Sequence, residues 1–188
     1  MKNLRLLSFL TMFLFAGTLA IGQNGNSDTK MVGGAEMYPS KNIVENAVNS
    51  QDHTTLVAAV KAAGLVDVLS SEGPFTVFAP TNAAFEALPA GTVDALLMEE
   101  NQKKLQAVLT YHVLAGDYKA ADIVAAIKKG NGKATFTTVS GADVSAMLDG
   151  DKVKLKDAAG NVATVTIADV NQSNGVIHVI DTVILPSK

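Results

Sequence analysis

The chain is expected to fold as an α+β domain with a mainly antiparallel sheet. Apolar residues recur at helical spacing between residues 40 and 129, whereas the segments after Lys133 read as strands. Ser-Gly, Asp-Gly, Ala-Gly-Asn and Ser-Asn-Gly turns punctuate this second half at hairpin distances. Helices followed by a run of strands place the two kinds of element in separate layers.

Taken in order, Ser40 offers a helix N-cap, with Ile43, Val44, Ala47 and Val48 at helical spacing behind it. His53 and the threonines after it open a second helix, which carries Leu56, Val57, Ala59 and Val60 and stops at Gly64. A short helical turn over 65–69 precedes a strand over 75–78, entered from Gly73-Pro74 and stopped by Ala79-Pro80. Thr81 and Asn82 cap a helix over 83–88, and Thr92 caps another through residue 98. A helix over 101–110, an extended segment over 111–114 and a helix over 120–129 follow. Strands are expected over 135–139, 144–148, 152–156, 162–170 and 176–185. Lys152-Val153-Lys154-Leu155-Lys156 alternates, which gives that strand one wet face; 176–185 does not alternate and is expected centrally.

Residues 1–22 stand apart from this scheme. Lys2 and Arg5 precede a short apolar centre from Leu6 to Phe15, and Thr18-Leu19-Ala20 supplies small residues, the layout of a secretory signal peptide cleaved after Ala20 or Gly22. Residues 23–38 are polar and glycine-bearing and read as a flexible leader, so that residues 39–188 form the domain. The expected location is therefore secreted or periplasmic.

Without residues 1–22 the chain carries 13 basic against 18 acidic residues, and no Lys/Arg patch with interleaved aromatics appears, which argues against nucleic acid. No later segment reaches the ~20 apolar residues of a membrane span. With no cysteine, an exported chain must be held by its hydrophobic core alone. The three histidines, at 53, 112 and 178, show no metal-ligand spacing. Residues 169–175 approach an EF-hand loop, but position six is Asn174 and position twelve Ile180, so a turn is the reading preferred. No G-x-S-x-G elbow or phosphate loop is present, and Asn171-Gln172-Ser173 is a formal glycosylation sequon. No cofactor and no enzymatic activity is expected.

Three stretches carry a resemblance. GPFTVFAPTNAAF, residues 73–85, is similar to the N-terminal signature of the fasciclin domain family; NGVIHVIDTVILP, residues 174–186, resembles its C-terminal signature; and LTYHVL, residues 109–114, resembles its central tyrosine–histidine motif. The likeness covers about residues 40–187. It implies a wedge-shaped β-sandwich with a helical layer and a non-enzymatic extracellular role in adhesion to cells, matrix proteins or surface polysaccharides; with one copy of the domain, attachment through a partner or self-association would have to provide avidity. In some animal members integrin recognition is assigned to the tyrosine–histidine motif and to an Asp-Ile pair before the last signature. Here those positions are Tyr111, His112, Asp169 and Val170; valine replaces isoleucine, and the short bacterial-type signal argues against an integrin as native partner.

The same residues have readings of their own. Phe75, Val77 and Phe85 are core anchors, each contributing ~1.5–3 kcal/mol if buried, and Phe78 belongs with them. Pro80, Thr81 and Asn82 turn a strand end into a capped helix, and Gly175 closes the turn before the last strand. On that strand His178 and Asp181 point to opposite faces, which argues against an acid–base pair and for backbone partners. Tyr111-His112 is open to two readings, packing or direct recognition. The main expectation is a surface-interaction module; the alternative is a soluble carrier of a small apolar ligand held between helices and sheet, suggested by an aliphatic composition with 5% aromatics.

Overall fold

The computed structural model describes residues 29–186. The signal peptide expected over 1–22 lies outside them, as does the first part of the leader. The remainder of the leader is not a loose strand of chain. Lys30–Val32 (β1) and Ala35–Met37 (β2) form an antiparallel hairpin in which Val32 pairs with Ala35. Gly33 and Gly34, at φ +56° and +75°, provide the left-handed two-residue turn this register requires. Val32 and Met37 then point into the core, so the folded unit begins earlier than Pro39.

The helical half follows the expected order. Ile43–Ala47 (α1) is capped by Asn42, not Ser40: Asn42 Oδ1 accepts from the Glu45 amide at 2.9 Å, and Glu45 Oε2 accepts from the Asn42 amide at 2.8 Å. Thr54–Ala62 (α2) and Val66–Ser70 (α3) flank the left-handed Gly64. Phe75–Pro80 (β3) leads to Asn82–Glu86 (α4), Thr92–Leu97 (α5) and Gln102–Tyr111 (α6), then to Val113–Ala115 (β4) and Ala120–Lys129 (α7). Tyr111 closes a helix instead of opening a strand. The β half comprises Lys133–Thr137 (β5), Asp143–Asp149 (β6), Lys152–Lys156 (β7), Val162–Gln172 (β8) and Gly175–Ile180 (β9). The last strand stops at Ile180, and residues 181–186 continue as an irregular strap.

Besides the hairpin, the described residues form one mixed sheet, ordered β4-β3-β9-β8-β7-β6-β5, with β3 and β9 parallel and the other pairs antiparallel. The antiparallel sandwich implied by the resemblance is thus a single curled sheet. Its bend lies in β8, an 11-residue strand that pairs with β7 through Val162–Thr164 and with β9 from Val165 onward, with register shifts on either side of Ile167. The two edges nearly meet, because the Val139 amide donates to the Val113 carbonyl at 2.8 Å.

Alternation along β3 and β9 divides the core. Val77, Ala79, Ile177 and Val179 face Leu56, Val60, Leu105 and Leu109 of the helical layer. Phe78 and Ile180 face the concave side, with Val144, Leu155 and Val165 of the other strands and Ile123 and Ile127 of α7. The close contact between β3 and β9 explains Gly175: at φ +151°, a Cβ there would lie 1.9 Å from the Phe75 carbonyl oxygen.

Candidate functional site

Tyr111 and His112 sit at the C-terminal end of α6 and turn inward. Tyr111 is 0% exposed; its hydroxyl donates to the Asp143 carbonyl at 2.8 Å and accepts from the Ala158 amide at 3.3 Å. His112 Nδ1 donates to the Val108 carbonyl at 2.7 Å, and Nε2 accepts from the Ile184 amide at 3.2 Å. Both ring nitrogens are used by a neutral imidazole. Burial pushes its pKa down to about 4, against the pull of the Val108 carbonyl and of Asp157.

Asp157, also buried, completes this cluster. Its carboxylate accepts from the Asn161 amide at 2.7 Å, from Asn161 Nδ2 at 2.9 Å and from the Leu185 amide at 2.8 Å. His112 and Asp157 therefore hold successive amides of the 181–186 strap, and the tyrosine ties the same corner to β6. A recognition surface needs accessible side chains; these are inside. Of the two readings of Tyr111 and His112, packing is the one these contacts match.

The second motif, Asp169-Val170, also makes internal contacts. Val170 is 1% exposed. Asp169 is left-handed, at φ +55°, and its Oδ1 accepts from the Ala120 amide at 2.7 Å, satisfying an open donor in the first turn of α7. The Asp169 amide donates to His178 Nδ1 at 3.3 Å, while His178 Nε2 donates to the Tyr118 carbonyl at 2.8 Å. His178 stacks on Phe78, with ring centroids 5.7 Å apart, and burial lowers its pKa despite the Tyr118 carbonyl. The histidine's companion is thus Asp169. Asp181 is exposed beyond the end of β9, where Oδ1 accepts from the Thr164 amide at 2.7 Å.

The remaining signature residues join elements. Thr81 Oγ1 accepts from the Ala84 amide, and Asn82 bonds to the Thr55 amide through Oδ1 and to the Gln51 carbonyl through Nδ2. Pro80 and Phe85 are buried, and Phe75 is half-buried against the helical core. Asn174 is a junction: Oδ1 accepts from the Ile43 amide, and Nδ2 donates to the Leu69 and Ser71 carbonyls. Asn174 and Asp157 were invisible as such, because Asn and Asp in a turn are explained locally.

The outer face of β5 to β8 is partly open to solvent. Across its rows lie Lys133, Met147, Lys154 and Thr164, then Thr135, Ser145, Lys156 and Val162, while α7 covers the opposite face. Lys154 pairs with Asp149 at 2.5 Å; Lys152 and Lys156 are exposed. Among the described residues, no group of three His, Asp or Glu side chains is placed to hold a metal, and no helix is long and apolar enough to cross a membrane.

The fasciclin domain model matches residues 51–186. The chain is 45% identical over 186 residues to Protein sll1483 of Synechocystis sp., covering 97% of this chain and 96% of that protein. It is 39% identical to Immunogenic protein MPB70 of Mycobacterium bovis, over 74% of this chain and 66% of that one, and 36% identical to the same organism's Cell surface glycolipoprotein MPB83, over 74% and 58%. Among solved structures it resembles the FAS1 domain pair of the insect cell adhesion molecule Fasciclin I, with a TM-score of 0.69, 18% identity and coverage of 77% of this chain and 51% of that chain, a likeness of fold. From motifs, architecture and relatives together, the chain belongs to the fasciclin domain family.

Proposed function

We propose that this protein is a non-enzymatic, extracytoplasmic surface-interaction module that binds a cell-surface or matrix component through the outer face of β5 to β8. The observation that carries the reading is the row of lysines on this face, in which Lys152 and Lys156 are exposed and Lys154 is half-buried beside Asp149. Lys152, Lys154 and Lys156 recur about every 6.6–6.8 Å along one strand, beside Lys133 and the hydroxyls of Thr135, Ser145 and Thr164. Such a face in a chain of net negative charge suits an anionic polymer, with hydroxyls to complete the hydrogen bonds. The names of its relatives support a surface role, since MPB83 is a cell surface glycolipoprotein and Fasciclin I a cell adhesion molecule.

The test is adhesion of protein-coated beads to the producer's own cells and purified surface polymers. Replacing Lys133, Lys152, Lys154 and Lys156 by Gln should abolish adhesion and leave the melting temperature nearly unchanged, because the lysines are on the surface. Wild-type adhesion should also weaken as salt is raised. A folded quadruple variant that adheres normally would refute the assignment of this face.

A further inference from the structure

We propose that the apolar cavity between the helical layer and the sheet binds a small organic acid with a short branched aliphatic body, its carboxylate held at the rim by Lys61. This site is separate from the outer sheet face and stands or falls independently of it.

The cavity measures about 80 Å³, about half of the ~150 Å³ apolar cavity that takes up benzene. Its wall is drawn from Met37 of the hairpin, Val60 of α2, Leu69 of α3, Val77 of β3, Leu109 of α6 and Ile177 of β9. So apolar a lining does not hold water well, and dry space among packed side chains forfeits dispersion contacts that an apolar group would restore. The volume limits the occupant to a short body and excludes a long acyl chain without rearrangement.

Two features distinguish this space from an ordinary packing defect. The first is its reach to the surface: Val68 and Val139, both in the wall, are 49% and 46% exposed. The lining also includes Lys61, its sole charged side chain, exposed and without an ion pair among the described residues. An apolar body entering the cavity with a carboxylate trailing at the rim satisfies both halves of this arrangement.

The second is His53, 3% exposed and part of the wall. Its Nδ1 shares a hydrogen bond with Ser50 Oγ at 2.8 Å, but Nε2 has no hydrogen-bond partner among the described residues; the Ala79 backbone lies close enough to oppose the effect of burial without closing a bond of good geometry. Buried ring nitrogens are ordinarily paired. A further oxygen on the ligand would meet that need, and the imidazole is a built-in reporter of occupancy.

The experiment is an NMR titration of the full chain with methyl and histidine observation, paired with calorimetry. The probes are 4-methylpentanoate and 3-methylbutanoate, each set against its neutral alcohol. Expected are saturable shifts of the Val60, Val77 and Ile177 methyls and of the His53 ring, with at least five-fold tighter binding of acids than alcohols. Lys61→Met should remove that preference while leaving alcohol binding unchanged, and Val57→Phe, which fills the space, should abolish all binding. Because the larger ring could upset folding, Val57→Ile is measured beside it, with melting temperatures for both, and should weaken binding in proportion to the volume lost. Absence of cavity shifts at millimolar probe, equal binding of acid and alcohol, or shifts that survive in the folded, filled variants would each overturn the proposal.

Discussion

Lowering the pH from 7 to 5 should destabilise this protein, and His112 supplies a calculable share. The imidazole is fully buried, both nitrogens are used in the neutral form, and its folded-state pKa is about 4. An unfolded chain restores it to about 6.5. The unfolded state therefore takes up the proton first, and stability present above pH 6.5 is lost as pH falls toward 4. Between pH 7 and pH 5 the two constants give a loss of about 2 kcal/mol from this residue alone, a sizeable fraction of the 5–15 kcal/mol typical of a domain. His53 and His178, also lowered by burial, add in the same direction. Urea unfolding at several pH values across this window measures the slope. His112→Gln should be less stable at pH 7 yet lose less on acidification. A flat wild-type profile between pH 7 and 5, or an unchanged slope in the variant, would refute the linkage.

Phe78→Ala removes a fully buried ring stacked on His178 and should cost about 3–5 kcal/mol, read from denaturant midpoints. Tyr111→Phe keeps the packing but strands the Asp143 carbonyl and the Ala158 amide, and should cost about 1–3 kcal/mol by the same assay. Gly175→Ala places a methyl against the Phe75 carbonyl in a left-sided backbone region; a loss of at least about 1–3 kcal/mol is expected, and a variant as stable as wild type would show that β3 and β9 can separate freely. A chelator should leave the melting temperature unaltered, and a large drop would reveal a metal contribution.

Where a residue's neighbours in sequence were also its neighbours in space, its role could be read directly. The helix over 120–129 was delimited correctly because its apolar face and Gly130-Asn131-Gly132 stop are both local. The hairpin at 30–37 was missed even though its Gly-Gly turn is a local signal, because strands of three residues are too short to display alternation. The curled sheet was less legible for a different reason. An eleven-residue strand that changes partners midway looks, in sequence, like one ordinary long strand. Tyr111-His112 shows the limit for sites: flanking apolar residues suit either packing or a sticky surface, and only the distant partners Asp143, Ala158 and Ile184 decide between them. His178 and Asp169 become companions through strand pairing and the Tyr118 loop, which no local pattern encodes.

The placement of β9 has a mechanical meaning for a molecule proposed to hold onto surfaces. A pull on the C-terminal side would first load the strap, whose Ile184 and Leu185 amides are tethered by two side chains. The tension would then enter β9, clasped by β3 on one flank and β8 on the other. An edge strand can be unzipped one hydrogen bond at a time, but a strand gripped on both flanks and pulled along its length must slide against two ladders together. The last signature of the chain thus places the tension-bearing strand where shear is resisted from both sides.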